Sequence, residues 1–216
     1  MVWAERADEA IARYRGGETR GLDQRQLTQL ANSAWAAGLC LLMDGRGDES
    51  AEWLRLAAAR YCESWDAGAP PDSWGRPIAA VKALLLAGDD ASDAARWALE
   101  AGAARAASPV GRYAGALALL VLGGDVEARE LGATLGVSED FPEAVAGAVV
   151  AIAAADHAAY RLAVENVLES FEQRDEFLED VAVADTVLVL QALAAARGAA
   201  VELPASPRLP SLPAAE

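Results

Sequence analysis

The chain has 216 residues, which is enough for one domain with a sizeable core. Apolar residues make up 54 % of it, which excludes disorder over most of the length, and much of this content is alanine, the strongest helix former. There are 18 basic and 33 acidic residues, so the net charge of −15 disfavours a nucleic-acid partner. Such acidity suits a high-salt cytoplasm, although the codon bias of a GC-rich genome would produce a similar composition.

The first segment predicts a helix over residues 3–15. Four of its residues recur at spacings of four, four and three, which places them on one helical face: Trp3, Ala7, Ile11 and Tyr14. The pair Gly16-Gly17 is expected to end this helix.

From residue 27 onward, apolar helical stretches alternate with short acidic turns. Each turn contains an aspartate, and a small residue lies nine or ten positions before it; the pairs are Gly38 and Asp48, Ala79 and Asp89, Gly115 and Asp125, and Gly147 and Asp156. A small residue in the first helix of a hairpin lets the second helix approach, glycine ends the first helix, and aspartate caps the second. The pattern predicts an all-α protein of about nine or ten helices, with four helical hairpins.

Two of these stretches, residues 83–89 and 119–125, run from an apolar helix end through glycine and aspartate into an alanine-containing helix. In this respect residues 27–175 resemble tetratricopeptide repeats, although the regular Trp-Leu-Gly-Tyr set and the closing proline of that class are missing. The resemblance implies a right-handed α-solenoid that binds peptides. A compact helical bundle made of the same hairpins is the alternative.

The C-terminal part predicts a helix over 179–196, closed by Arg197 and Gly198. We divide the chain into a helical-repeat domain at 1–200 and an extended tail at 201–216. Four prolines in the tail are three residues apart and would line one side of a polyproline II helix: Pro204, Pro207, Pro210 and Pro213. The tail is then either a ligand for an aromatic groove of a partner, or it packs four apolar residues on the last hairpin: Val201, Leu203, Leu209 and Leu212.

The last third also resembles the bacterial immunity protein 49 family. The matching stretches are residues 156–160, the amphipathic helix that follows to Arg174, the apolar helix at 187–194, and the ending at 206–210. Members of this family commonly carry His-Gly-Trp where this chain has Arg197-Gly198-Ala199. The resemblance implies an all-helical protein that neutralises a toxin by covering its surface.

No catalytic signature is found, and we expect neither a cofactor nor a metal ion. The only histidine, His157, starts a helix and is expected to be solvent-exposed. A single histidine beside one carboxylate is too few ligands for a metal site, which needs three or four. The acidic stretch at 172–180 is expected to form a solvated face. Cys40 and Cys62 are expected to be buried and reduced.

The chain predicts no membrane association and a cytoplasmic location. Its N-terminus has no apolar core of signal-peptide length, and the most apolar run, residues 144–155, is too short to cross a bilayer.

Aromatic residues and neighbouring arginines are the best candidates for a binding site, because interface hot spots are rich in them. Arg–Tyr neighbours recur in successive units, at 60–61, 112–113 and 160–161. The candidate residues are Trp53, Arg60, Tyr61, Trp65, Trp74, Arg112 and Tyr113. The alternative is that they are core residues at junctions between hairpins.

Three functions follow from these observations. The first is a non-enzymatic, tetratricopeptide-like interaction scaffold that binds an unknown protein or a second copy of itself. The second is the immunity-type protein that neutralises a toxin. The third is a small-molecule-binding domain with an acidic and aromatic cleft between Trp53 and Trp74, which would include Glu63, Asp66 and Asp72.

Overall fold

The computed structural model describes residues 3–17 and 20–211. The predicted all-α fold is confirmed: this part of the chain contains ten α-helices, two short 3-10 turns and no strand. The 3-10 turns are Ala103–Arg105 and Leu178–Asp180. The helices are α1 (Trp3–Gly16), α2 (Gln24–Met43), α3 (Gly47–Asp66), α4 (Gly75–Leu86), α5 (Ser92–Glu100), α6 (Pro109–Leu122), α7 (Asp125–Gly136), α8 (Glu143–Ala153), α9 (His157–Glu172) and α10 (Asp185–Ala195).

The four predicted hairpins are present as α2/α3, α4/α5, α6/α7 and α8/α9, and the two helices of each hairpin contact each other. Three of the turns begin with a glycine in the left-handed conformation, namely Gly45, Gly88 and Gly123, with φ between 73° and 78°. The fourth turn places Ala155 in this conformation, with φ of 51°. Because a Cβ atom disfavours positive φ, glycine is the residue that this turn geometry favours.

Small residues let neighbouring elements approach closely, as predicted for Gly38. A Cβ atom there would lie 2.6 Å from Cγ of Leu54 on α3, and Ser50 of α3 donates a hydrogen bond of 2.7 Å to the Gly38 carbonyl. At Gly115 the prediction was wrong about the neighbour. A Cβ atom there would lie 2.6 Å from Cα of Ala104, so the preceding 3-10 turn, and not α7, fills this space.

The turn aspartates do not share one role. Only Asp156 caps the following helix with its side chain, by accepting hydrogen bonds of 3.1 and 3.0 Å from two backbone amides at the start of α9. Asp89 instead accepts two hydrogen bonds from Arg55, at 2.6 and 2.8 Å, and Asp125 accepts hydrogen bonds from Arg197. The prediction that aspartate caps every second helix was therefore wrong outside the last hairpin, where ion pairs between elements replace it at two turns.

Helix α10 contacts α4, α8 and α9. Four of its apolar residues are almost inaccessible to solvent: Val187, Val189 and Leu190 are 0 % exposed, and Leu193 is 2 % exposed. These residues belong to the core formed by α6–α10. The last helix therefore packs against helices of two different hairpins.

This last helix begins later than predicted, at Asp185 and not near residue 179. Glu179 and Asp180 have φ of 54° and 56°, which is incompatible with a right-handed helix, and the backbone N–H of Ala184 donates to the carbonyl of Arg208. Residues 173–184, called the cover segment below, therefore cross the molecule as a 3-10 turn and extended chain.

The tail packs on the protein itself in the described part. Val201, Leu203 and Leu209 contact the core formed by α6–α10, and Val201 exchanges backbone hydrogen bonds with the Gln191 side chain. A turn at residues 207–208 interrupts the extended chain, so the prolines do not form one continuous polyproline II helix. The predicted positions Leu212 and Pro213 lie outside the described residues.

In residues 3–17 and 20–211, no helix is both long and apolar enough to span a lipid bilayer.

Candidate functional site

Two of the predicted site residues hold α1 against α3. Trp53 packs edge-on against Tyr14, with ring centroids 5.3 Å apart, and the Arg60 guanidinium donates a hydrogen bond of 3.0 Å to the Tyr14 hydroxyl. Arg60 also forms an ion pair with Glu63, one turn further along the same helix. Both residues are partly exposed, so each also presents an edge to solvent.

Trp65 and Trp74 are brought together, and the structure adds Trp97, which the sequence did not indicate. The Trp65 ring centroid lies 5.5 Å from that of Trp74 and 5.9 Å from that of Trp97. Trp74 is buried, and its indole N–H donates to the Asp72 carboxylate at 3.1 Å. This cluster fixes α4 and α5 against the end of α3.

The tyrosines of the recurring Arg–Tyr pairs are core residues. Tyr61 is 3 % exposed and donates a hydrogen bond of 2.8 Å to Asn32 of α2, and Tyr113 is 7 % exposed and packs 5.2 Å from Phe141. Burial raises the pKa of both phenols well above the ordinary value, so both stay protonated.

The Tyr113 hydroxyl and Nε of Arg112 are buried without a hydrogen-bond partner among the described residues. Because the tyrosines are buried, the three Arg–Tyr pairs do not line one groove, and a folded partner cannot reach these tyrosines. Trp53, Arg60, Trp65 and Arg112 are partly exposed and stay candidates for a partner contact.

The remaining candidates for reactive groups are one histidine and two cysteines. His157 is exposed at the start of α9, as predicted, and no three His, Cys, Asp or Glu residues in the described part of the chain are placed to hold a metal ion. Both cysteines are free, and burial raises the pKa of each to about 11. Cys40 is buried as predicted, whereas Cys62 is half-buried.

A broad groove crosses the outer surface of α7, α8 and α9 and encloses about 760 Å³. Ten of its fifteen lining residues are glycine or alanine, among them Gly132 and Gly136 of α7, Gly147 of α8, and Ala159 of α9. Leu162 borders it and is 63 % exposed. We call this feature the α7–α9 groove. Its small floor residues leave room for the large apolar side chains of another helix.

The part of the chain that forms the α7–α9 groove is strongly acidic in sequence. Residues 125–172 contain ten Asp or Glu residues and two Arg residues, and two of the carboxylates, Glu143 and Asp156, line the groove itself. One of the arginines, Arg161, is close to Glu165, with 3.8 Å between the charged atoms. The groove therefore combines an apolar floor with a negative rim.

A second concavity, of about 320 Å³, lies between α2, α4 and the cover segment. It contains the only lysine of the chain, Lys82, which is 8 % exposed and forms an ion pair with Asp185 at the start of α10. We call it the Lys82 pocket. Of the predicted site residues, only Tyr61 lines it, so the pocket does not coincide with the cleft expected between Trp53 and Trp74.

Sequence reasoning missed both concavities. A signal for the Lys82 pocket existed, because a single lysine inside the apolar helix at 78–86 needs a buried partner. The partner is 103 residues away in the chain, and only the fold brings it near.

Comparison with known proteins finds no matching protein family, curated protein or solved structure.

Proposed function

We propose that this protein is a non-enzymatic interaction protein that binds a basic amphipathic helix of a partner in the α7–α9 groove. The observation that carries this proposal is a floor made mostly of glycine and alanine, lined by two carboxylates, Glu143 and Asp156, and by no Lys or Arg residue. An apolar helix face would supply the large side chains that the floor lacks, and flanking Lys or Arg residues would pair with the rim.

The net charge of the chain also favours a different protein as the partner over a second copy of this chain. Two copies of a chain with a net charge of −15 repel each other, and the repulsion is strongest where acidic surfaces meet. A basic partner is instead attracted over distances of about a Debye length, roughly 8 Å at physiological salt. The groove therefore favours a partner of opposite charge over self-association.

A narrower form of the proposal is that the partner is a basic toxin, as the resemblance to immunity protein 49 implies. Three of the residues of that resemblance hold the C-terminal part together: Asp156 caps α9, Tyr160 donates to Gln191 of α10, and Ser206 of the tail donates to Glu172. They support a shared architecture. The acidic groove is what supports a basic toxin as its target.

The test is an affinity capture from the native cell lysate with two charge variants of α9. Ala159→Arg places bulk and positive charge in the groove, whereas Ala158→Arg makes the same change on a neighbouring exposed residue outside it. We expect a stoichiometric basic protein to be retained by the wild type and by Ala158→Arg, and to be lost with Ala159→Arg. Its retention should also fall when the salt concentration is raised.

Circular dichroism of both variants provides the folding control, since neither side chain is buried. Equal retention of the partner by the two variants would place its binding site elsewhere. Recovery of the protein only with itself would overturn the proposal in favour of self-association.

A further inference from the structure

The Lys82 pocket has the shape and wall composition of a small-molecule site. Its volume of about 320 Å³ falls in the lower part of the range for ligand pockets. Most of its lining residues are apolar: α2 contributes Trp35 and Leu39, α4 contributes Ile78, and the cover segment contributes Phe177 and Val181. A ligand that enters would bury an apolar body among these side chains.

The inner end of the pocket is polar but neutral overall. Lys82 donates to the Asp185 carboxylate and, at 3.0 Å, to the Thr186 hydroxyl, and its ammonium lies 5.8 Å from the Trp35 ring centroid. An ammonium group has three N–H donors, and two have hydrogen-bond partners among the described residues. The charges at this end are therefore paired within the protein, and the charged groups of a ligand need partners elsewhere in the pocket.

Two opposite charges stand at the mouth of the pocket. Arg174 is stacked 4.1 Å from the Phe171 ring centroid, and Glu176 lies two residues further along the chain. Both side chains line the pocket and are exposed, and neither forms an ion pair with another described residue. One free cation and one free carboxylate at the same opening complement a ligand that carries both charges.

The cover segment is held in a conformation that costs free energy. Glu179 and Asp180 are consecutive non-glycine residues with positive φ, and α1 fixes them: Arg13 pairs with Glu179 at 3.4 Å, and Arg6 donates to the Asp180 carbonyl. Strain of this kind is concentrated at ligand clamps and active sites, and it persists only where surrounding contacts enforce it. Here these contacts preserve the wall of the pocket.

From these four observations we infer that the Lys82 pocket binds a free α-amino acid with a large apolar side chain. The carboxylate of the ligand pairs with Arg174, its ammonium pairs with Glu176, and its side chain lies against Trp35, Ile78 and Phe177. This inference is independent of the α7–α9 groove, which shares no lining residue with the pocket.

The test uses the full chain and a matched set of four probes: L-phenylalanine, 3-phenylpropanoate, phenethylamine and glycine. The second and third probes each lack one charge of the amino-acid group, and glycine lacks the side chain. The shift of the Trp35 indole N–H signal in NMR titrations gives each Kd. We expect L-phenylalanine to bind at least fivefold more tightly than either singly charged probe, and glycine to produce no saturable shift.

Charge variants at the mouth of the pocket test which residue binds the carboxylate of the ligand and which binds its ammonium group. Arg174→Gln should weaken L-phenylalanine and 3-phenylpropanoate at least fivefold and leave phenethylamine unchanged, and Glu176→Gln should weaken L-phenylalanine and phenethylamine only. Asp175→Asn changes an exposed neighbouring charge that does not line the pocket, and should change none of the affinities. Equal binding of the three phenyl probes, or no saturable shift with L-phenylalanine, would overturn the inference.

Discussion

Lys82 of α4 and Asp185 of α10 form an ion pair whose two side chains are only 10 % and 17 % exposed. The pair connects the helix that follows the first hairpin to the last helix of the chain. Apolar residues on both sides of Asp185 extend this connection, because Val183 packs with the core of α1–α4 whereas Leu190 packs with the core of α6–α10. The ion pair thus marks the place where the two cores meet.

Removing one partner of this pair should destabilise the protein strongly. Lys82→Met leaves the Asp185 carboxylate without its cation, and Asp185→Leu leaves a buried ammonium. We expect each change to lower the free energy of unfolding by about 3 kcal/mol, because an uncompensated buried charge is costly. Urea denaturation followed by circular dichroism measures both values.

The double variant Lys82→Met/Asp185→Leu is the matched control. Because it removes both charges, its stability should return to within about 1 kcal/mol of the wild type, apart from the loss of an acidic residue in the first turn of α10. A double variant as unstable as the sum of the two single variants would show that the two charges do not interact, and would contradict this prediction.

Ala155→Gly should stabilise the protein. Ala155 has φ of 51° in the last hairpin turn, where the three preceding turns have glycine. We expect a gain of about 0.5–1 kcal/mol, since glycine carries no penalty for the left-handed conformation. The same substitution at Ala154, which has φ of −89°, should instead destabilise. Urea midpoints of the two variants that shift in the same direction would contradict this assignment.

Replacing either of two glycines by alanine should have opposite effects on stability. Both glycines lie on the first helix of a hairpin. In Gly38→Ala the new methyl group would meet Leu54 at 2.6 Å, and the overpacking should cost about 1–3 kcal/mol. In Gly147→Ala it would meet Ala163 at 3.7 Å, an ordinary contact, so the higher helix propensity of alanine should stabilise by about 0.5–1 kcal/mol. Thermal unfolding checks both, and a stabilised Gly38→Ala would refute close packing of α2 on α3.

Local patterns in the sequence predicted the helices and hairpins, because the residues that form and end each hairpin lie close together in the sequence. The spacing of Trp3 to Tyr14 gave α1, and Gly45, Gly88 and Gly123 end helices as expected. The start of α10 was predicted about six residues too early, because the apolar stretch around Val181 and Val183 is equally suited to a buried extended chain.

The two concavities could not be predicted, since both depend on which helices meet. The α7–α9 groove is lined by alanines and glycines whose sequence pattern is that of an ordinary helix. Lys82 and Asp185 are far apart in the sequence and are brought together only by the fold. The aromatic residues were predicted to form one group, but their side chains lie on different faces of the helices and contact different neighbours. Tyr61 points to α2, while Trp53 contacts α1.

The stability of the protein should fall between pH 9 and 11. The pKa of Cys40 and of Cys62 is raised from 9.0 to about 11 in the folded protein, so the folded state holds these protons more tightly than the unfolded chain. This contribution is fully present below pH 9 and is lost as the pH rises through 11. The variant Cys40→Ala/Cys62→Ala should therefore lose less stability over this range in urea titrations, and an identical pH dependence would contradict the assignment.

Site-specific photo-crosslinking in cells tests the central proposal, a basic partner in the α7–α9 groove, most directly. A benzophenone side chain at Leu162, which borders the groove and is 63 % exposed, is compared with one at Val126, which is 60 % exposed on α7 and does not line it. We expect an adduct with a basic protein from position 162 and little or none from position 126. Equal adducts from both positions, or an adduct only with a second copy of this chain, would contradict it.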